Sequence, residues 1–190
     1  MNEPFTTDRS FKGIDYSKER LQKANYENCY FEGCNFSDGY LDNQNFMECK
    51  FFDCNLSNAN LKHTTFQEVS FTSCKMIGLK FEDCNDFLMD FNFDDCNLNL
   101  ASFYGLSLKN QHFTKCKMKQ VDFTDTKLPG ATFNDCDLEG AIFENTNLEK
   151  ADFRTAVNFI IDLERNRVTK ARFSKENILG LLSKYKVTIE

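Results

Sequence analysis

Residues 113–133 read FTKCKMKQVDFTDTKLPGATF, and every fifth residue of this stretch is large and apolar. The five positions are Phe113, Met118, Phe123, Leu128 and Phe133. A five-residue repeat matches neither the 3.6-residue period of an α-helix nor the two-residue period of a flat strand. It is the period expected of a chain that turns a corner after every fifth residue.

The same period runs through most of the chain. From Phe11 to Phe81 all 15 residues at this spacing are apolar or aromatic, and from Leu88 to Phe153 all 14 are. The phase slips by two residues between the two series. Because apolar residues make up only 41% of the chain, such an unbroken series indicates a repeat architecture.

Two further positions of each unit carry information. The residue two before each large one is mostly small, which predicts a narrow core filled by one large and one small side chain per unit. The residue two after it is Gly, Asn or Asp in 18 of the 29 units. These residues tolerate the positive φ of tight turns, and Pro129-Gly130 has the order that a type II turn prefers. Four such corners would close a coil of 20 residues.

The nine cysteines all occupy the small inward position. Cys34, Cys54 and Cys74 are spaced by 20 residues, as are the later Cys96, Cys116 and Cys136, so these six are expected to form one ladder on a single wall. The chain contains no C-x-x-C pair. Stacked cysteines have parallel Cβ vectors, which suit a disulfide poorly. Buried unpaired thiols are therefore favoured over zinc ligands or disulfides.

Composition excludes several classes of function. The net charge of −6 argues against a generic nucleic-acid binder, which is usually basic. Neither an N-terminal signal nor a bilayer-spanning apolar run is seen, so a soluble, cytoplasmic protein is expected. His63 and His112 fall at outward positions without a spaced partner. We therefore expect no enzyme, no cofactor and no metal site.

The pattern divides the chain into three parts. Residues 1–20 are a lead-in with imperfect first units, residues 21–153 are the regular solenoid with a break near 82–88, and residues 154–190 are a tail. Asp86 and Phe91 fall where a small inward residue is expected, so one coil at the break must be distorted. In the tail, Ser174 can cap a helix over about 175–185, and 187–189 can form a short strand.

Three triplets, Ala59-Asn60-Leu61, Cys136-Asp137-Leu138 and Ala151-Asp152-Phe153, resemble the A-(D/N)-L unit of the pentapeptide-repeat proteins. The resemblance extends over 11–153. It implies an all-β chain, a right-handed quadrilateral parallel β-helix of about seven coils, with a short C-terminal helix.

The tail is similar to that of the quinolone-resistance (Qnr-type) and microcin-immunity branch of the same family. That resemblance implies a non-enzymatic homodimer joined through the tail. The candidate dimer interface is the apolar helix face of Ile178, Leu181, Leu182 and Tyr185. Members of this branch protect DNA gyrase and topoisomerase IV from quinolones or peptide toxins, by mimicking DNA.

The charge distribution bears on this expectation. Residues 26–153 carry a net charge of −11, whereas the tail is basic. Seven coils would span roughly 35 Å, a length over which B-DNA carries about 20 phosphate charges. The solenoid has about half that density. Turn chemistry alone also places Asp at corners, so a functional acidic face and ordinary solvated turns both remain open.

The break concentrates acidic residues, with no Lys or Arg between Glu82 and Leu108. We take it as a candidate partner-binding acidic knob formed by Glu82, Asp83, Asp86, Asp90, Asp94 and Asp95, with a tolerated bulge as the alternative. An alternative function for the whole chain is a structural scaffold or interaction module with an unrelated protein partner. Direct binding of nucleic acid or of a membrane is not expected.

Overall fold

A computed structural model, which describes residues 4–188, shows a four-sided parallel β-solenoid. Two walls are continuous sheets with strand orders β1-β3-β5-β7 and β2-β4-β6-β8-β9-β10-β11. The other two walls are joined by isolated bridges such as Asn35 with Asn55. The strands are β1 Phe5–Thr7, β2 Ser10–Lys12, β3 Asn25–Glu27, β4 Tyr30–Glu32, β5 Asn45–Met47, β6 Lys50–Phe52, β7 Thr65–Gln67, β8 Val69–Thr72, β9 Phe91–Asp94, β10 His112–Thr114 and β11 Thr132–Asn134.

The 20-residue coil and its corners are confirmed. Neighbouring strands pair in parallel with partners 20 residues apart, as Phe31 does with Phe51 and Phe113 with Phe133. The six glycines expected at corners all have φ between 59° and 72°. Gly130 shows why one of them is needed: its φ is 72°, and an added Cβ would come within 2.5 Å of Asn110 Oδ1.

We number the walls 1 to 4 in chain order by their large inward residues. Walls 1 and 2 are the two sheets, and walls 3 and 4 are held by the bridges. Below the break, the inward residues are Tyr26, Phe46 and Phe66 on wall 1, Phe31, Phe51 and Phe71 on wall 2, Phe36, Leu56 and Met76 on wall 3, and Leu41, Leu61 and Phe81 on wall 4. All twelve are buried.

Above the break, the aromatic side chains are redistributed. Walls 2 and 4 now carry phenylalanine, whereas walls 1 and 3 carry leucine or methionine. Within a wall the rings stack, as Phe113 does on Phe133 at 5.2 Å between centroids. Across the core the rings meet edge to face, as in Phe103 and Phe113 at 5.8 Å. Above the break, opposite walls therefore carry the same type of large inward residue.

The two-residue slip distorts one coil, as expected. Phe91 lies fully buried at a small inward position, opposite Val69 in the strand below. Its ring contacts Phe66 and Phe81 at centroid distances of 6.4 and 5.3 Å. Because Phe91 already fills this layer, Leu88 has no room inside. The expectation that Leu88 resumes the inward series is wrong: Leu88 is 63% exposed.

Polar atoms inside the core are satisfied by the coil below. Gln111 Nε2 donates to the Phe91 carbonyl at 2.7 Å, and Thr126 Oγ1 donates to the Phe103 carbonyl at 2.8 Å. The inward thiols do the same more weakly, as Cys54 Sγ does with the Phe31 carbonyl at 3.4 Å. All nine cysteines are buried and unpaired, and eight of them donate a weak hydrogen bond from Sγ to a backbone carbonyl.

The C-terminal segment covers the last coils. Where a helix over about 175–185 was expected, the structure has a turn, then α1 at Leu179–Leu182 and a 3₁₀ turn at Ser183–Tyr185. The Gly180 carbonyl accepts from Ile161 N at 3.1 Å. A Cβ on Gly180 would lie 2.2 Å from the Phe159 carbonyl oxygen, so only glycine permits this approach. Of the expected strand 187–189, the first two residues are not in a strand, and Ile189 lies outside the described residues.

Candidate partner-binding surfaces

The inserted residues form a loop, residues 86–90, that projects from wall 1. Before the loop, Asn85 N still donates to the Thr64 carbonyl at 2.9 Å, and after it Phe91 pairs with Val69. The five residues of the loop therefore take the place of the three residues 66–68 in the coil below. Both ends of the loop are held: Phe87 N donates to Asn85 Oδ1 at 3.1 Å, and Asp90 N donates to the Phe66 carbonyl at 2.9 Å. The loop is therefore anchored to the sheet on each side.

The tip of this loop is apolar. Phe87 and Leu88 are 69% and 63% exposed, with Asp86 and Asp90 on their flanks. Leu88 has a φ of 56°, a left-handed conformation that costs an L-residue with a side chain about 1–2 kcal/mol. The five-residue period does not predict which side chains of an inserted segment point inward. The sequence therefore did not predict this apolar tip. The available signal was the Phe87-Leu88 pair lying within the slip itself.

The six acidic residues expected to form a knob lie on three successive segments of one coil. Glu82 and Asp83 belong to a 3₁₀ turn at Phe81–Asp83, Asp86 and Asp90 are the first and last residues of the loop, and Asp94 ends β9. Asp95 sits at the following corner, where its Oδ2 accepts from Ser73 Oγ at 3.2 Å. Only Asp86 and Asp90 share the projecting loop with its apolar tip.

Negative charge near the break is not neutralised by neighbours. Towards the C-terminus, acidic residues pair with basic ones one coil away, as in Lys119–Glu139 at 2.5 Å and Arg165–Glu144 at 3.1 Å. Within residues 4–188, no salt bridge reaches Asp83, Asp86, Asp90 or Asp94. The acidic residues around the loop are therefore less compensated by ion pairs than those of the C-terminal coils.

Two recesses adjoin the loop. One of about 690 Å³ lies beside Leu88, Met89 and Asp90 and is also lined by Lys109 and His112. The other, of about 260 Å³, runs along the outer surface of wall 1 and ends at exposed Phe5 on one side and Phe87 on the other. Both are open surface grooves formed where the loop rises above the sheet.

The histidines lie at the surface and the thiols lie in the core. His63 and His112 are exposed, and His112 Nδ1 lies 2.9 Å from Thr132 Oγ1. Burial raises the pKa of the Cys49 thiol to about 12, which keeps it protonated. The described part of the chain holds no group of three or more His, Cys, Asp or Glu side chains placed to bind a metal. It also holds no helix with the length and apolar character needed to cross a membrane.

The four residues of the candidate dimer interface do not share one exposure. Leu181 is only 8% exposed and belongs to the protein's own core. Ile178 and Tyr185 are 42% and 54% exposed, and Leu182 is half-buried. The neighbouring Leu179 is also exposed. Leu181 thus packs the C-terminal segment onto the solenoid, whereas Ile178, Leu179 and Tyr185 face outward.

Comparisons with known proteins agree with this architecture. The sequence model of the family described as "Pentapeptide repeat region" matches residues 24–86 and 86–157. A search of curated proteins gives no match. Among solved structures, a trypsin-treated form of QnrB1, a plasmid-mediated fluoroquinolone resistance protein, is 17% identical; the alignment covers 98% of this chain and 100% of that one, with a TM-score of 0.54.

A second solved structure has a different role. HetL, a pentapeptide-repeat protein involved in regulating heterocyst differentiation in the cyanobacterium Nostoc sp. strain PCC 7120, is 20% identical to this chain. The alignment covers 92% of this chain and 86% of HetL, with a TM-score of 0.56. Because the two proteins are only 17% and 20% identical to this chain, the structural similarities to QnrB1 and HetL establish the fold alone.

Proposed function

Because this chain belongs to the pentapeptide-repeat family, we propose that it is a non-enzymatic, protein-binding solenoid that binds a type II topoisomerase, DNA gyrase or topoisomerase IV. In this role it would protect the enzyme from quinolones or peptide toxins in the cytoplasm. The observation that carries the proposal is the alignment with the fluoroquinolone resistance protein QnrB1 over nearly the whole length of both chains.

The surface charge supports binding at a site that normally holds DNA. A parallel solenoid repeats its outward side chains at about 4.8 Å along a straight axis, so acidic residues are presented at regular intervals on a rod. The uncompensated carboxylates of Asp83, Asp86, Asp90 and Asp94 are the strongest such concentration. We propose that they, with Glu82 and Asp95, contact basic residues of the enzyme that otherwise hold phosphates.

The C-terminal segment supports a dimer of such rods. Exposed Ile178, Leu179 and Tyr185 form an apolar patch at the end of the solenoid. Pairing two copies through this patch would double the length of the acidic rod. Leu182 is half-buried and would lie at the edge of the contact, while Leu181 would act indirectly by holding the segment in place.

A gyrase supercoiling assay with and without ciprofloxacin tests the proposal. The protein is expected to restore supercoiling in the presence of the drug, or to inhibit supercoiling in its absence. The variant D83N/D86N/D90N should lose most of the effect, and D38N/D53N/D135N, which neutralises three acidic residues away from the break, should lose less. Neither protection nor inhibition at micromolar protein would refute the proposal.

The second candidate is an interaction module for an unrelated protein. The likeness to HetL favours it, since the same fold at similar identity occurs there in a developmental regulator. Affinity capture from host lysate separates the two: recovery of gyrase or topoisomerase IV subunits supports the first proposal. Recovery of a different protein, lost in the D83N/D86N/D90N variant, supports the second.

A further inference from the structure

The outer surface of wall 1 below the loop differs in composition from its neighbour. Only one of its ten outward residues is charged, namely Glu27, whereas three of the eight outward residues on the first four strands of wall 2 are. We call the ten the wall-1 strip: Phe5, Thr7, Asn25, Glu27, Asn45, Met47, Thr65, Gln67, Asn85 and Phe87. The wall-2 set is Ser10, Lys12, Tyr30, Glu32, Lys50, Phe52, Ser70 and Thr72.

The strip is regular along its length. Phe5, Asn25, Asn45 and Thr65 lie in exact 20-residue register through β1, β3, β5 and β7. Asn45 Nδ2 donates to Asn25 Oδ1 at 2.6 Å, which aligns the side chains of successive coils. The result is a trough of about 260 Å³ whose lining carries one charged residue, Glu27.

An exposed phenyl ring stands at each end of the trough. Phe5 is 68% exposed and Phe87 is 69% exposed. The β5 row of Asn45 and Met47 lies midway, two coils from either end. The strip is therefore nearly symmetric about its centre, with aromatic ends, amide and hydroxyl side chains between them, and Met47 at the middle.

We propose that the wall-1 strip binds the same strip of a second copy of this chain, with the two solenoid axes antiparallel. The two-fold axis would run along the strand direction through the β5 row. Each β3 row would then face the partner's β7 row, and each β1 row would face the partner's Asn85–Phe87 row. Such a contact is isologous, so both copies use the same residues.

The residue pairs produced by this axis are compatible. Glu27 would face a Gln67 side chain, which can donate to the carboxylate, and Met47 would face Met47. The Phe87 ring would reach the partner's Phe5 and Thr7. Among the ten strip residues no two like charges face each other, which favours association because like-charge pairs oppose it.

The projecting loop selects the antiparallel arrangement. If the two axes were parallel, both loops would lie at the same end and would hold the strips apart. With antiparallel axes, each loop would face the partner's β1 row at the opposite end of the strip, where its apolar tip would contact Phe5. The loop thus sets the register of the two copies.

The size of the strip predicts a weak dimer. Four strand spacings are about 19 Å, and a three-residue strand is about 10 Å wide, so each copy buries a few hundred Å² at most. Specific stable interfaces bury about 800 Å² per partner. The dimer should therefore form at high protein concentration and be best detected by covalent capture.

Cysteine capture tests the arrangement, because the nine native thiols are buried. Met47→Cys places a thiol beside the proposed two-fold axis, and Phe52→Cys places one in the same coil on wall 2. Under mild oxidation at high micromolar protein, M47C is expected to give a disulfide-linked dimer on non-reducing gels, and F52C and the parent are not. Equal capture of M47C and F52C would overturn the proposal.

Two further arms test the register. Mixing F5C with F87C should give a mixed dimer that neither variant gives alone. Adding Phe87→Asp to M47C should lower the captured dimer by about tenfold, since two aromatic contacts are lost. Phe87 is exposed, so this change leaves the core intact, and undiminished capture would contradict the proposal.

Charge exchange gives a rescue experiment. Gln67→Glu in M47C should reduce capture, because the introduced carboxylate would face Glu27 of the partner subunit. The double change E27K/Q67E in M47C should restore it, by placing opposite charges in contact. Failure of the double change to restore capture would overturn the antiparallel pairing. A dimer formed only through the C-terminal patch cannot give this pattern, because residue 47 lies several coils away.

Discussion

Phe81 and Phe103 stack with ring centroids 4.6 Å apart and planes 4° from parallel, although 22 residues separate them instead of 20. Phe71 and Phe93, also 22 apart, stack at 5.5 Å on wall 2. Walls 2 and 4 therefore continue undisturbed past the slip. The extra residues are absorbed on wall 1 alone, where Phe91 fills the layer and the loop of residues 86–90 is expelled.

Phe91 should be sensitive to truncation. It is buried and contacts the rings of Phe66, Phe81 and Phe93. Phe91→Ala is expected to lower the free energy of unfolding by about 3–5 kcal/mol, because a cavity is left in a close-packed core. Urea unfolding followed by circular dichroism measures this. Phe87→Ala is the matched control and should change stability by less than about 0.5 kcal/mol; similar losses for the two would contradict the assignment.

Gly130 and Gly105 offer a comparison of turn strain with side-chain crowding. Both have φ near 70°, but an added Cβ meets Asn110 Oδ1 at Gly130 and no atom within 4 Å at Gly105. Gly105→Ala should cost about 1–2 kcal/mol for the left-handed backbone. Gly130→Ala should cost more, because Asn110 must also move. Thermal unfolding of both variants gives the order, and a larger loss at Gly105 would show that crowding is unimportant here.

The hold of the C-terminal segment on the solenoid should depend on pH. The hydrogen bond from Lys184 Nζ to Asp162 at 2.7 Å lowers the pKa of Asp162 below its ordinary value. A carboxyl whose folded pKa is depressed stabilises the fold above its unfolded pKa, and the contribution is lost as pH falls through the folded value. Hydrogen exchange of residues 179–186 should therefore increase below about pH 4.

Asp162→Asn should remove this acid sensitivity and raise exchange in the same residues at neutral pH. Lys186→Gln, a change in the same segment at an exposed lysine, serves as the control and should keep the parent's profile. High salt should weaken the effect in the parent, since the pair is partly exposed. An unchanged acid response in the Asp162 variant would assign the effect to another carboxyl.

Dimerisation through the C-terminal patch can be separated from folding of the segment. Ile178→Asp with Leu179→Asp should convert a dimer to a monomer in light scattering while preserving the circular dichroism spectrum. Leu181→Asp should instead loosen the segment, because a charge would be buried in the core. A parent protein that is monomeric at high concentration would refute the C-terminal dimer.

The sequence predicts the solenoid because each coil repeats the same few constraints. Inward Phe31, corner Gly130 and the cysteine at position 54 all follow from a period that every unit obeys. The loop does not follow from it. Either Phe91 or Leu88 could fill the core layer of wall 1 at the break. Which of the two side chains is buried depends on the space that the neighbouring rings of Phe66 and Phe81 leave. The C-terminal segment was similarly only half predictable, because a periodic apolar face does not tell whether Leu181 turns to its own core or to a partner.

The redistribution of aromatic residues at the break marks a seam between two blocks of coils. In a solenoid each coil contacts only its neighbours, so stability is a sum of local interfaces. On wall 2, phenylalanine rings stack from the Tyr26 coil to the Phe153 coil without a change of residue type. The aromatic stack of wall 1 ends at Phe66, and the aromatic stack of wall 4 begins at Phe81. Because ring stacks on walls 2 and 4 cross this seam, a denaturant should unfold the two halves together, and a transition in two separate steps would show that the seam is weaker than its ring contacts indicate.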